Sequence, residues 1–155
     1  MAVTPDSRWP VSTEHTLRAA GWFPGRQVDT ARWEEVLREH GGFEIHDAAR
    51  AFLREFGGLL VERAPAMRAL GRTPFHLDPL AAEWEDEIFE VLSEQAGARL
   101  YPVGSTDRGG VYLGMAPDGA MYSGLDDVAL VARTPDAALE RLTEVVPAKG
   151  ISDDS

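Results

Sequence analysis

The sequence predicts an α+β fold: a single domain with a mostly antiparallel sheet flanked by helices. Two patterns predict this class. Apolar residues recur at helical spacing in several stretches before residue 97 and once more near the end. Between these, residues 99–132 hold short apolar runs separated by turn-forming residues, which is typical of strands. A length of 155 residues fits one domain core, and we find no internal repeat or linker.

Three short helices are expected to open the domain. Residues 1–10 lack periodicity and are expected to form a flexible arm. Helices then follow over residues 12–20, 30–40 and 47–56, since each stretch begins near a Ser, Thr or Asp and ends at one or two glycines. Residues 59–62 read as the first strand, so the chain turns from helix to sheet here.

The second half of the chain is expected to be rich in strands. Residues 63–74 show no period and are expected to form a loop, followed by a short strand over residues 75–77. Four further strands are predicted at residues 99–103, 111–115, 120–123 and 128–132. Pro117-Asp118-Gly119 is a turn signal that joins two of them as a hairpin. Thr134-Pro135 starts a final helix that carries Ala138, Leu139 and Leu142.

The boundaries of the domain follow from these elements. The tail over residues 147–155 is polar and expected to be frayed, so the folded domain is predicted to span residues 11–146.

A fourth helix is predicted from the Asp78-Pro79 pair, a cap followed by proline at the first helical position, to Gln95 or Ala96. Its apolar stripe should face the core and consists of Leu80, Trp84, Ile88, Val91 and Leu92. A separate face is entirely acidic and consists of Glu83, Asp86, Glu87, Glu90 and Glu94. Like charges three or four residues apart cost roughly 0.2–0.5 kcal/mol per pair, so this face opposes folding.

Two explanations of the acidic face are open. It is either a solvated face, with its repulsion screened by salt or relieved by Arg68, Arg72 or Arg99, or a surface that docks against Lys and Arg side chains of a partner. Asp126 and Asp127 form a second acidic patch. As neighbours on a strand they should point to opposite faces, which argues against catalysis by the pair.

The amino-acid composition limits the kinds of partner and the location that we expect for the protein. Fifteen basic against 26 acidic residues give a net charge of −11, which disfavours nucleic acid as a partner and favours a basic protein. There is no apolar run long enough to cross a membrane and no secretion signal, so we expect a cytoplasmic protein with no membrane partner. The chain has no cysteine and therefore no thiolate chemistry.

Catalytic and metal-binding patterns are missing from the sequence. The four histidines, His15, His40, His46 and His76, form no metal-binding pair and are expected to be caps or surface residues. Ser105 lacks the frame of a nucleophile turn and is expected in a hairpin loop. We therefore expect a protein that is not an enzyme and needs no cofactor.

The large aromatic side chains are expected to serve mainly the core. Four of them fall on apolar helical faces, namely Trp33, Phe52, Phe56 and Trp84. Trp22 follows a helix-ending glycine and is expected to be semi-exposed.

The chain resembles the SUKH superfamily of bacterial immunity proteins, in particular its third subfamily. The motifs that carry the resemblance are GWFPGRQVD, FLREFGGLLV, LYPVG and PDGAMY, in that order. They cover about residues 17–145. The resemblance implies an α+β fold and a role in neutralising a toxin, often a nuclease, by binding it and blocking its active site.

The resemblance and the charge together predict a binding surface for a basic toxin. The candidate residues are Glu83, Asp86, Glu87, Glu90 and Glu94, with Asp126 and Asp127 as a second patch. Two alternatives stay open: a non-catalytic scaffold or regulatory interaction module, and an enzyme for a small cationic substrate, which would need a deep pocket. The oligomeric state is not predicted.

Overall fold

The structure is a computed structural model that describes residues 8–62, 74–106 and 110–143. Within them, five α-helices accompany one six-stranded sheet, which confirms the α+β class. The helices are α1 (Val11–Ala19), α2 (Ala31–Glu39), α3 (Asp47–Phe56), α4 (Asp86–Ala96) and α5 (Pro135–Thr143). The strands are β1 (Leu60–Val61), β2 (Phe75–His76), β3 (Tyr101–Thr106), β4 (Val111–Met115), β5 (Met121–Gly124) and β6 (Val128–Ala132).

The sheet is an antiparallel meander, because the strands lie side by side in chain order and each neighbouring pair is antiparallel. The turn at Pro117-Asp118-Gly119 joins β4 to β5, as predicted. Gly119 has a φ of 94°, a left-handed conformation that suits glycine. The predicted loop over residues 63–74 and the predicted tail over 147–155 fall almost entirely outside the described residues, and so do residues 1–7 of the arm predicted over residues 1–10.

His46 shows how a helix is tied to the sheet. Its Nδ1 accepts a hydrogen bond from the Ala49 amide at 3.2 Å and so caps α3. The other ring nitrogen, Nε2, donates to the Met115 carbonyl at the end of β4, at 2.9 Å. The expectation of a capping histidine is confirmed at this position.

The central strand β3 is packed so closely that it requires a glycine. A Cβ atom at Gly104 would lie 2.4 Å from the His76 carbonyl oxygen and 2.9 Å from the Leu77 Cα atom. The Ser105 side chain is buried in the same strand, so its predicted place in a hairpin loop is wrong. The strand continues three residues beyond the predicted end at Val103 because its buried residues pair with both β2 and β4.

Residues at the amino end pack more tightly than expected. Trp9, assigned from the sequence to a flexible arm, is only 6% exposed and meets the rings of Trp22 and Phe56 edge-on, at 5.2 and 5.9 Å between centroids. Its indole nitrogen donates to the Asp136 carbonyl at 3.0 Å. The packed chain therefore begins before residue 11, and the boundary at residue 10 needs correction.

Other aromatic side chains are buried in or beside the cluster of Trp9, Trp22 and Phe56. Trp22 is buried and donates to the Glu55 carboxylate at 3.0 Å, so its expected partial exposure is wrong. Phe52 and Phe56 are core residues as predicted, and Trp33 packs against the core while staying partly exposed.

Within the described residues, no helix combines the length and apolar character needed to cross a bilayer.

We predict that Trp9→Ala lowers the free energy of unfolding by about 3–5 kcal/mol, because it removes a buried aromatic side chain and leaves a cavity. Chemical denaturation measures the change. Val11→Ala is the matched control, since Val11 is 81% exposed two residues further on, and its effect should stay within about 0.5 kcal/mol. Equal stability of the two variants would contradict the packed position of Trp9.

Candidate functional site

The predicted fourth helix is in fact two separate helices. Asp78 caps a short 3-10 helix, Pro79–Ala82, by accepting from the Leu80 amide at 2.9 Å. The chain then leaves helical geometry, and Trp84 adopts a left-handed conformation with φ of 68°. The Trp84 amide donates to the His40 carbonyl at 2.9 Å, outside any helix, so the continuous helix predicted from Pro79 is wrong.

This break changes which apolar residues face the core. Trp84 was expected on the buried stripe but is 65% exposed, and Val91 is also exposed. Phe89 and Leu92 are the buried residues of α4, with Ile88 packed partly beside them. Phe89 is absent from the predicted stripe because the helical phase that starts at Leu80 does not continue through the break.

Phe89 and Leu92 hold α4 against the sheet. The Phe89 ring lies edge-on to Tyr112 of β4, at 5.6 Å between centroids. Two glycines allow the close approach, since a Cβ at Gly114 would lie 3.1 Å from the Phe89 ring and one at Gly124 would lie 2.8 Å from Leu92. The opposite side of α4 is consequently turned to solvent.

Four of the predicted acidic residues lie together on that outer side. Asp86, Glu87, Glu90 and Glu94 are all exposed. Among the described residues, no basic nitrogen lies within 4.0 Å of any of these four carboxylates. Glu83 is different, because it precedes α4 and its carboxylate contacts Nδ1 of His40.

The second acidic patch lies in a turn that is bonded to the end of α4. Asp126 and Asp127 lie in the turn between β5 and β6, both exposed. Since they lie outside any strand, their side chains are not constrained to opposite faces of the sheet. Gln95 at the end of α4 holds this turn: its amide oxygen accepts from the Val128 amide at 2.7 Å, and its amide nitrogen donates to the Asp126 carbonyl at 3.3 Å. We call the six exposed acids the acidic surface: Asp86, Glu87, Glu90, Glu94, Asp126 and Asp127.

An open groove of about 780 Å³ runs along α4 and borders the segment that follows α2. Its carboxylates belong to Glu44 and to three members of the acidic surface, Asp86, Glu90 and Glu94. Arg99 also lines the groove, but its guanidinium forms no ion pair with a described carboxylate. Arg68 and Arg72, the other arginines considered as internal partners, lie outside the described residues.

Several arginines pair with carboxylates elsewhere in the domain. Arg8 contacts Glu55 at 2.6 Å and Asp136 at 2.7 Å. Arg50 forms a hydrogen-bonded pair with Glu34 at 3.1 Å, which lowers the pKa of that carboxyl group. Within the described part of the chain, such pairing stabilises helix contacts and leaves the acidic surface uncompensated.

The described residues contain no group of three or more His, Asp or Glu side chains placed to hold a metal ion. His76 lies on β2 and His46 caps α3, so neither histidine contributes to the groove. These features define a small α+β domain that exposes the acidic side of α4 to solvent.

A family model described as SUKH-3 immunity protein matches residues 9–144. The chain belongs to this family of immunity proteins, so its role is immunity to a toxin. The match begins at Trp9, the residue at which the aromatic packing also begins. Searches of curated proteins and of solved structures returned no match.

We predict that Glu90→Lys raises the free energy of unfolding by about 0.5–1.5 kcal/mol at low salt, because it turns three like-charge neighbours on α4 into opposite-charge pairs. The gain should shrink as salt is added. Glu14→Lys is the matched control: Glu14 pairs with Arg18 at 2.8 Å on α1, so the same change there should lower stability. Destabilisation by Glu90→Lys would mean that its carboxylate is already compensated.

Proposed function

We propose that the protein neutralises its toxin by covering a basic face of the toxin with the acidic surface. One observation carries the proposal: four carboxylates share the outer side of α4 without a basic partner among the described residues. Such an arrangement opposes folding, so a role in binding explains why it is present.

The toxin in this proposal is a basic nuclease. A nuclease must hold a phosphate backbone, and it does so with Lys and Arg side chains. An inhibitor that competes for the same surface gains both speed and selectivity from negative charge, because complementary potentials steer the two proteins together. The net charge of −11 extends this attraction beyond the contact itself.

The mode of action we propose is obstruction, without catalysis and without a cofactor. Asp86 and Glu90 lie at the centre of the contact, and Asp126 and Asp127 extend it past the end of α4. Glu83 lies at the margin, since its carboxylate already contacts His40. We assign the complex to the cytoplasm, where a nuclease toxin reaches nucleic acid.

We predict that the double variant Asp86→Lys with Glu90→Lys binds the toxin about tenfold or more weakly than the wild type, chiefly through slower association. The toxin is the protein encoded by the adjacent open reading frame, and stopped-flow and calorimetric titrations at several salt concentrations measure the binding. Wild-type affinity should fall steeply as salt rises, whereas that of the double variant should change little.

Glu62→Lys serves as the matched control, because Glu62 is exposed and follows β1, at the edge of the sheet opposite to β6. It alters the net charge by the same amount per residue and should retain most of the affinity. Equal binding by the wild type, the double variant and Glu62→Lys would reject the acidic surface. Failure of the wild type to bind or to protect cells would reject the proposed partner.

A further inference from the structure

Trp84 combines two features that folding alone does not explain. Its side chain is 65% exposed, the largest exposed fraction among the aromatic residues of the described core and surface. It is also the only residue other than glycine, within the described ranges, that has a positive φ. A bulky side chain is strained in this left-handed conformation, and an indole in solvent gains little burial in return.

The surrounding contacts hold the indole in one position. Its ring stacks on the His40 imidazole, at 4.3 Å between centroids and 15° between planes. The backbone is fixed by the bond from the Trp84 amide to the His40 carbonyl, and His40 itself contacts the Glu83 carboxylate. One face of the indole is therefore covered by the imidazole, and the other face is open to a partner.

The acidic neighbours of Trp84 in the chain favour a cation as its ligand. Trp84 lies between Glu83 and Glu85 in the chain, and the acidic surface starts at Asp86. A cation over an indole face is attracted by the π electrons, and tryptophan gives the strongest such contact among the aromatic side chains. A planar guanidinium can stack on the ring while its N–H groups reach neighbouring carboxylates, which an ammonium group does less well.

From this geometry we infer that Trp84 is the aromatic anchor of the binding surface and stacks on an arginine side chain of the partner protein. The inference rests on the proposed function for the identity of the partner, but its chemistry is independent of that identity. An exposed tryptophan that directly precedes the acidic surface in the chain has the properties of residues that dominate binding energy at protein interfaces.

The first experiment needs no toxin. We titrate the full chain with the peptide acetyl-Gly-Arg-Gly-Arg-Gly-Arg-Gly-amide and with its lysine counterpart at low salt, using calorimetry. The wild type should bind the arginine peptide about two- to fivefold more tightly than Trp84→Gly does, and should prefer it to the lysine peptide. Equal affinity of the two proteins for the arginine peptide overturns the inference.

Two further variants test whether weaker peptide binding comes from loss of the indole ring and not from misfolding. Trp84→Gly should melt at or above the wild-type temperature, because glycine adopts the left-handed conformation without strain. Should it fail to fold, Trp84→Asn replaces it, since asparagine tolerates the same conformation and also lacks the ring. Phe23→Ala is the matched control: Phe23 is 54% exposed in the connection between α1 and α2, and its loss should leave peptide binding unchanged.

The second experiment uses the protein encoded by the adjacent open reading frame. Trp84→Gly should weaken that complex by about thirtyfold or more, as expected for an interface residue of this kind. Unchanged affinity, with loss of binding by the double variant Asp86→Lys with Glu90→Lys, overturns the role of Trp84 and leaves the proposed function intact. If the wild type does not bind this protein, the proposed function fails, and the peptide titration still decides the role of Trp84.

Discussion

The hydrogen bond from the Trp84 amide to the His40 carbonyl determines how the rest of the surface is arranged. It draws the chain out of helical geometry between the 3-10 helix and α4, so the two helices have different directions and different buried faces. Had the helix continued, residue 84 would have pointed to the core with Leu80. The break instead places Trp84 in solvent and starts a new helix whose acidic side faces outward.

The position of α4 also depends on two glycines of the sheet, which have no side chains to block the helix. Gly114 and Gly124 carry no side chains, and the spaces they leave are occupied by Phe89, Leu100 and Leu92. This close contact fixes the helix along β4 to β6, and Gln95 fastens its end to the turn that carries Asp126. The end of α4 and the turn that carries Asp126 and Asp127 are thereby held on one support.

Local signals made much of the fold predictable from the sequence. The strands over residues 111–115 and 128–132 match the predicted limits, and the final helix begins at Pro135 as expected, because turn residues and prolines mark these boundaries directly. The exposure of Asp86, Glu87, Glu90 and Glu94 was also predictable, since helical periodicity holds within α4.

The wrong predictions have a common physical cause. At these positions the structure depends on contacts between residues that are far apart in the chain. The break at Trp84 has no glycine or asparagine to announce it, and its partner His40 lies more than 40 positions earlier in the chain. Trp9 looked like part of an arm because its burial depends on Trp22 and Phe56. The turn that contains Asp126 and Asp127 is stabilised by Gln95, a residue of another element, and no local signal indicates that contact.

The ion pairs formed by Arg8, called the clasp here, have a consequence for folding during synthesis. Arg8 joins Glu55 of α3 to Asp136 of α5, a residue 128 positions later in the chain. On the ribosome Arg8 is made before both of its partners, and Asp136 follows 128 positions later. A chain cut short before α5 cannot form the ion pair with Asp136, so this contact closes only after α5 has been synthesised.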